Sequence, residues 1–246
     1  MLFRNTRRVL SYLKLLRTPD PKLQPVKVEE AVLLESAKTL HAQVYIQRGF
    51  VPRSALTQAG LISQHEDPYQ NHAQYFAVIR PGNDGPIVVG TARQILAKSQ
   101  HRHASFPMMS RLSLYDHVRR TIEAADPERC IEISALAKRP GESSLVPLLL
   151  YRLMWHHSLA QDHQYWLMAC DAKVYGRLKF LFGQALLQAG PKTYYMGSDV
   201  IPAVLDIRGS LKHLEQEARS LNIIKRQFRR RTIKFFLEGL ARKQRA

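Results

Sequence analysis

Apolar positions in the first third of the chain predict a helix followed by a β-hairpin. Between residues 28 and 48 apolar side chains recur with a helical period, and Gly49 can take the left-handed conformation that ends a helix. Residues 74–79 and 87–96 are rich in β-branched and aromatic side chains, and the glycines and prolines of a turn lie between them. We therefore expect an antiparallel pair of strands after the first helix.

Apolar patterns in the second half predict strands that alternate with helices. Residues 130–137 and 164–170 have the pattern of buried strands, and the helix between them can be capped by Ser143 or Ser144. Residues 99–129 show no clean period, so we expect an irregular segment there with one helix near its C-terminal end.

The last third of the central region adds one helix and two strands. Asp171 can cap a helix that Gly190-Pro191 would end, and strands are expected near residues 193–196 and 201–207. Because a strand–helix–strand unit forms a parallel pair with a right-handed crossover, the order predicts an α/β fold with a mixed sheet and helices on both faces.

The net charge of +17 lies mostly at the two ends of the chain. Residues 1–22 hold six Lys or Arg against one Asp, and residues 225–246 hold nine against one Glu. This distribution predicts a basic amphipathic segment at 1–22, a central domain at 23–209 and a basic amphipathic helical tail at 210–246.

The tail carries apolar side chains at helical spacing, including Phe228, Phe235 and Phe236, among several arginines. Such a helix can lie on an anionic membrane surface, dock on an acidic carrier protein or bind nucleic-acid phosphates. Alternatively, its apolar stripe packs on the core and its charges are solvated. A nucleic-acid partner is the least expected, because the charge forms basic ends rather than a groove.

The cysteines, the histidines and the hydropathy of the chain indicate where the protein is located and whether it binds a metal. Cys130 and Cys170 lie in apolar runs and are expected to be buried, reduced thiols. No membrane-spanning stretch or secretory signal is predicted, which favours the cytoplasm, with attachment to the inner face of the membrane as an open alternative. The ten histidines lack the spacing of a metal site, so no metal is expected.

Five short motifs follow one another along the chain. In order, they are Arg48-Gly49-Phe50, Asp67-Pro68-Tyr69, Val89-Gly90-Thr91-Ala92-Arg93, Glu132-Ile133-Ser134 and Ala189-Gly190-Pro191. Together they resemble the branch of the GNAT acyltransferases that contains the autoinducer (acyl-homoserine-lactone) synthases and the N-acyl amino acid synthases. The resemblance covers residues 30–207 at a coarse level. It implies a fold in which two central parallel strands splay apart and admit the pantetheine arm of the donor.

Two positions depart from the pattern of that branch. Gln70 stands where the family has a second aspartate, and Ala135 replaces the arginine of its Glu-x-Ser-Arg motif. Both departures argue against S-adenosylmethionine as the acceptor and against a homoserine-lactone product. The residues that the resemblance places on the acceptor side are Arg48, Phe50, Tyr69 and Ser134.

The chemistry that the resemblance implies needs few groups. An acyl thioester is already activated, so the protein must orient an amine, remove a proton and stabilise an oxyanion, for which a backbone N–H suffices. Glu132 is the candidate base, acting through a water unless burial raises its pKa; the alternative is a structural ion pair with Arg93. Arg93 and Asp67 are expected to form a charged network. Tyr175 resembles the tyrosine with which many GNAT enzymes protonate the leaving thiolate, and is otherwise an ordinary helix-surface residue.

The loop after the first central strand bears on the donor. GNAT enzymes that use coenzyme A carry Arg/Gln-x-x-Gly-x-Gly/Ala there, whereas this loop contains Pro140, which lacks an N–H, and Glu142, which repels phosphate. An acyl carrier protein presents one phosphate on an acidic surface and suits this loop better. The residues expected to hold phosphopantetheine are Lys138, Arg139, Gly141, Ser143 and Ser144.

The sequence thus predicts an N-acyltransferase that moves a medium or long acyl chain from an acyl carrier protein to an amine, chiefly an amino acid. No bound cofactor is expected, since the acyl-phosphopantetheine thioester, on the carrier protein or on coenzyme A, is a co-substrate. Two alternatives stay open: an N-acetyltransferase that uses acyl-coenzyme A, and a non-catalytic protein that binds acyl carriers or nucleic acid.

Overall fold

The structure is a computed structural model that describes residues 12, 13, 15, 16, 20–98, 101–221 and 223–238. Its strands are β1 (Gln24–Lys27), β2 (Ala73–Arg80), β3 (Ile87–Ile95), β4 (Cys130–Lys138), β5 (Tyr165–Asp171), β6 (Leu186–Gln188), β7 (Thr193–Tyr195) and β8 (Ser198–Asp206). Its helices are α1 (Ala31–Gln47), α2 (Pro107–Arg111), α3 (Asp116–Glu123), α4 (Leu145–Ala160), α5 (Ala172–Phe182), α6 (Ile207–Ser220) and α7 (Ile223–Leu237).

All eight strands belong to one mixed sheet. The strand order is β1-β2-β3-β4-β5-β8-β6, with β7 paired to β8, and every pairing is antiparallel except that of β4 with β5. Helix α4 connects those two parallel strands, as the strand–helix–strand pattern predicted. Helix α1 packs on one face of the sheet, and α4 packs on the other. The predicted mixed α/β fold and the predicted hairpin of β2 and β3 are both confirmed.

The two parallel strands pair only over their first halves. Their register runs from Cys130 opposite Tyr165 to Ile133 opposite Met168, and no pairing follows beyond that point. The divergence coincides with a bulge, because two residues of β4, Ala135 and Leu136, stand opposite Ala92 alone on β3. Ala135 has a φ of +54°, in the left-handed region that residues other than glycine rarely adopt. The central strands therefore splay apart, as the family resemblance implied.

The glycine of the Val89-Gly90-Thr91 motif has a packing role. A Cβ atom at Gly90 would lie 2.2 Å from Cγ1 of Val146, on the first turn of α4. The close approach of α4 to β3 at this point therefore requires a residue without a side chain.

The segment after β5 differs from the expectation in one respect. Asp171 caps α5 as predicted, since its side chain accepts a hydrogen bond from the Lys173 amide. The helix does not continue to Gly190-Pro191; it ends at Phe182, where Gly183 takes a φ of +55°. Strand β6 lies between the end of α5 and Gly190-Pro191. Neither β6 nor β1 was expected, because strands of three or four residues are too short to show a period.

Helix α7 packs its apolar side chains into the main core. Phe228, Ile233, Phe235 and Phe236 are buried in the same cluster as Trp155 of α4. Of the alternatives left open for the tail, the described residues therefore show packing of the apolar stripe on the core. Residues 239–246 and nearly all of the N-terminal segment lie outside the described part of the chain. No helix among the described residues is long and apolar enough to cross a membrane.

Candidate active site

A cavity of about 220 Å³ opens where β4 and β5 separate. Its lining comes from both faces of the sheet, with His41 and Tyr45 of α1 on one side and Tyr151 of α4 and Leu178 of α5 on the other. The cavity therefore passes through the gap between the splayed strands. We call it the central cavity, and its α1 side holds most of the ionisable groups.

Arg93 and Asp67 form a buried ion pair on the α1 side of the cavity. Arg93 Nη1 donates to Asp67 Oδ2 at 2.6 Å, and Nη2 donates to Oδ1 at 2.8 Å. Arg93 Nε also donates to Ser134 Oγ at 2.9 Å, and Nη1 donates to the Tyr75 hydroxyl at 3.1 Å. Burial alone would lower the pKa of Arg93, but the hydrogen bonds and charge of Asp67 raise it. The network expected of Arg93 and Asp67 is thus present.

Glu132 lies on β4 beside the ion pair without joining it. Its side chain is almost fully buried, and Oε2 accepts a hydrogen bond from the Met108 amide at 2.8 Å. Burial raises the pKa of Glu132 from 4.5 to about 8, and the Met108 amide and the charge of Arg93 oppose this shift only in part. Among the ion pairs of the described residues, Arg93 is held by Asp67 and not by Glu132. The alternative of a direct Glu132–Arg93 pair is therefore not what the structure contains.

The residues predicted for the acceptor side are only partly brought together. Phe50, Tyr69 and Ser134 line the central cavity. Arg48 is exposed and does not line it, because it is the residue directly after α1, where Gly49 reverses the chain at a φ of +72°.

Tyr175 is not among the residues that line the cavity. Val174 and Leu178, four residues apart on α5, face the cavity, and Tyr175 is turned by about 100° from Val174 around the helix. Tyr175 packs instead against the edge of the core, where burial raises its pKa. The structure thus does not place this tyrosine where a leaving thiolate in the cavity would need it.

The predicted donor loop lies at the N-terminus of α4, outside the lining of the cavity. Lys138 Nζ donates to the carbonyl oxygens of Arg139 and Glu142, and Glu142 pairs with Arg80 at 3.1 Å. Ser143 Oγ accepts from the Leu145 amide, whereas Ser144 makes no side-chain cap. Arg139 and Gly141 are exposed, and Gly141 has a φ of +80°.

Sequence reasoning missed several residues of the cavity because they belong to no motif. His41 and Tyr45 project from α1, Tyr151 from α4, and Cys170 lies near the end of β5. Burial raises the pKa of Tyr45 and of the Cys170 thiol to about 12 and lowers that of His41 to about 3. The helical period could have placed His41 on the inner face, one turn after the buried Ala37.

The cysteines and the possible metal ligands were also located in the structure. Cys130 and Cys170 are buried and not bonded to each other, as predicted. Within the described ranges, no three His, Cys, Asp or Glu side chains are grouped so that they could hold a metal ion.

Comparisons by sequence find no relatives, whereas comparisons by structure find several. No family model matches the chain, and no curated protein matches it. FeeM, an N-acyl amino acid synthase from uncultured soil microbes, superposes with a TM-score of 0.60 at 15% identity, over 78% of this chain and 95% of that one. This chain has the fold of an N-acyl amino acid synthase. The resemblance drawn from the motifs is confirmed at the level of the fold.

Two acyl-homoserine lactone synthases share the same fold. LasI superposes with a TM-score of 0.54 at 16% identity, over 75% of this chain and 89% of that one. BjaI, described as dependent on coenzyme A and bound to S-adenosylmethionine and isopentyl-CoA, gives a TM-score of 0.55 at 16% identity, over 80% and 88%. Identities this low establish the fold and leave the substrates to be argued from the site.

Proposed function

We propose that this protein is an N-acyltransferase that moves a medium or long acyl chain from a phosphopantetheine thioester to an amine. The observation that carries the proposal is the position of Glu132: a buried carboxyl group, with a pKa raised to about 8, lines a cavity in the gap between two splayed parallel strands. A base whose pKa lies near the working pH is suited to proton transfer.

The reaction that we assign to the cavity needs one base and one oxyanion site. The amine nitrogen attacks the thioester carbonyl carbon and forms a C–N bond, while Glu132 accepts the proton that the nitrogen loses. The carbonyl oxygen becomes an oxyanion, and we assign its stabilisation to a backbone N–H of β4 near the bulge at Ala135 and Leu136. The C–S bond then breaks, and the thiolate leaves and takes up a proton.

We propose an acyl carrier protein as the donor. Lys138 ends β4 and Arg139 follows it, and we assign the phosphate of the carrier to these two side chains. In the same loop, Glu142 and Pro140 do not favour a pyrophosphate. The exposed Arg230 and Lys234 of α7 add positive charge that would steer an acidic carrier. BjaI and MesI are described as dependent on coenzyme A, so a coenzyme A thioester is the alternative donor to test.

The proposal is tested by incubating the protein with acyl-carrier-protein thioesters and acyl-coenzyme A thioesters of graded chain length and a panel of amines. The panel includes amino acids, the acceptor class expected from the sequence. Released thiol and N-acyl product are measured by thiol titration and mass spectrometry.

The variant Glu132→Gln keeps the size of the side chain and an acceptor for the Met108 amide but loses the base. We expect its kcat to fall by about 10²–10⁴. The matched control is Glu123→Gln, an exposed glutamate of α3 whose loss should leave kcat unchanged. Thiol release that is equal in wild type and Glu132→Gln would contradict the role of Glu132, and no release with any donor would contradict the proposed function.

A further inference from the structure

His41 lines the central cavity, and one of its ring nitrogens has no hydrogen-bond partner among the described residues. It projects from α1, its side chain is 4% exposed, and its ring packs edge-on against Tyr45 with the centroids 4.2 Å apart. Its Nε2 is buried and has no hydrogen-bond partner among the described residues. Buried polar atoms are nearly always paired, so an orphan at the wall of a cavity indicates a group that a ligand completes.

His41 is uncharged under ordinary conditions. Burial lowers its pKa to about 3, with a further lowering by Arg93 that exceeds the opposing effect of Asp67. A neutral imidazole carries one donor and one acceptor nitrogen, so Nε2 can make one hydrogen bond with an amine, as donor or as acceptor according to the tautomer.

The charge around His41 limits the groups that the cavity can bind. Arg93 is the one cation among the described residues that line it, and four of its five N–H donors already serve Asp67, Ser134 and Tyr75. Its carboxyl groups are those of Glu66, Asp67, Glu132 and Asp171. A carboxylate on the acceptor would therefore find no free counter-ion among the described lining residues, since Asp67 already neutralises Arg93, and it would be repelled by Glu66 and Asp171.

We propose that His41 is an acceptor-binding residue whose Nε2 hydrogen bonds to the incoming amine substrate, and that a lining whose one cation is already paired selects amines without a free carboxylate. This inference rests on the proposed function and narrows its acceptor to amines such as alkylamines, diamines or amino acid amides. It also assigns His41 a contact with the substrate that no motif of the sequence suggested.

The first experiment compares His41→Leu with His41→Gln. Leucine removes the polar group, whereas glutamine places an amide close to the position of Nε2. We expect His41→Leu to raise the KM for the acceptor by about tenfold, the loss of one hydrogen bond, with the donor KM unchanged. His41→Gln should restore the acceptor KM to within about threefold of wild type.

His163→Leu is the matched control. His163 is also buried with a ring nitrogen that lacks a partner, but it lies outside the lining of the cavity. Its replacement should leave both KM values unchanged. If His41→Leu leaves the acceptor KM unchanged, or if His41→Gln fails in the same way although both variants are folded by circular dichroism, the role of His41 is refuted.

A second measurement does not depend on turnover. In protein labelled with ¹⁵N-histidine, addition of phenethylamine should shift the Nε2 resonance of His41 and leave that of His163 in place. A His41 resonance that no amine moves would overturn the proposal. An inactive wild-type protein would refute the proposed function alone, because the resonance would still report whether His41 binds amines.

The selectivity is tested with matched pairs of acceptors. Phenethylamine is compared with phenylalanine, and cadaverine with lysine, so that each pair differs by a carboxylate. We expect kcat/KM to be higher for the amine of each pair by about tenfold or more, because a carboxylate buried without a counter-ion is strongly disfavoured. A preference for the amino acids would overturn the selectivity.

Discussion

Asp67 and Glu132 both line the central cavity, but their carboxyl groups have opposite environments. Asp67 has both of its oxygens bound by Arg93, whereas Glu132 has a backbone amide as its hydrogen-bond donor and no ion pair among the described residues. The chemical role of a buried carboxyl group therefore depends on the group that it is paired with. Asp67 is paired with Arg93, whereas Glu132 is left with a pKa near 8, which is suited to proton transfer.

The sheet register explains why the two environments lie side by side. Arg93 on β3 stands opposite Ser134 on β4, and Ile95 stands opposite Glu132, so Arg93 and Glu132 share one face of the sheet. Asp67, from the loop before β2, reaches the guanidinium first and uses both of its terminal nitrogens. The charge of Arg93 therefore lowers the pKa of Glu132 although the two side chains are not paired.

The largest effect is expected from removing the ion pair between Arg93 and Asp67. Asp67→Ala leaves the guanidinium of Arg93 buried without a counter-ion, which should lower the free energy of unfolding by about 3–5 kcal/mol. Urea denaturation followed by fluorescence measures the change. The control is Asp199→Ala, which removes the partner of Lys192 from an exposed pair and should cost about 0–1 kcal/mol. Similar losses in both variants would mean that the Arg93–Asp67 pair does not differ from a surface pair.

The second prediction concerns the unpaired side and the pH dependence of the reaction. Glu132 acts as a base only when ionised. Below its pKa of about 8, the ionised fraction decreases as the pH is lowered. We expect kcat/KM to rise more than tenfold between about pH 6 and about pH 8, and then to level off. The acceptor should be a weakly basic aryl amine, so that its own ionisation does not contribute.

The same profile measured on Glu132→Gln separates the base from the rest of the protein. The residual activity of the variant should be flat over this range, because no ionisable group replaces the carboxyl. A profile in which wild type and variant rise in parallel would assign the pH dependence to another group and would remove the distinction between the two carboxyls.

Much of this comparison was predictable from sequence, and the rest depends on tertiary contacts. The motifs indicated Asp67, Arg93 and Glu132, and the alternation along β4 put Glu132 and Ser134 on one face. The choice of partner for Arg93 was not predictable, because it depends on the path of the loop that carries Asp67. The Met108 amide was equally hidden, since it lies in a segment without any period.

His41 and Tyr175 both show that the sequence alone does not establish which side chains of a helix take part in the site. The helical period could have placed His41 on the inner face of α1, but no pattern in the sequence shows that Nε2 lacks a partner among the described residues. Tyr175 was expected in the site from its place early in a helix. The rotation of α5 instead turned Val174 and Leu178 towards the cavity, and a shift of one residue along a helix changes the face that a side chain occupies.

The last expected effect is on stability, and it has the opposite sign to the effect on activity. Because the pKa of Glu132 is raised by folding from 4.5 to about 8, the folded state holds its proton more tightly than the unfolded chain does. The stability that this provides is fully present below the unfolded pKa and is lost as pH rises through the folded pKa. Glu132→Gln has no such dependence, so it should match wild type near pH 5 and unfold about 2 °C or more above it at about pH 9.

Thermal unfolding of wild type, Glu132→Gln and the surface control Glu123→Gln at several pH values measures this difference. The control should follow wild type throughout, since Glu123 is exposed. A Glu132→Gln protein that is less stable than wild type at high pH would mean that the ionised carboxylate is stabilised by its surroundings, as Asp67 is. A variant that gains stability while losing activity would show that the buried, unpaired carboxyl is retained for its chemistry at the expense of the fold.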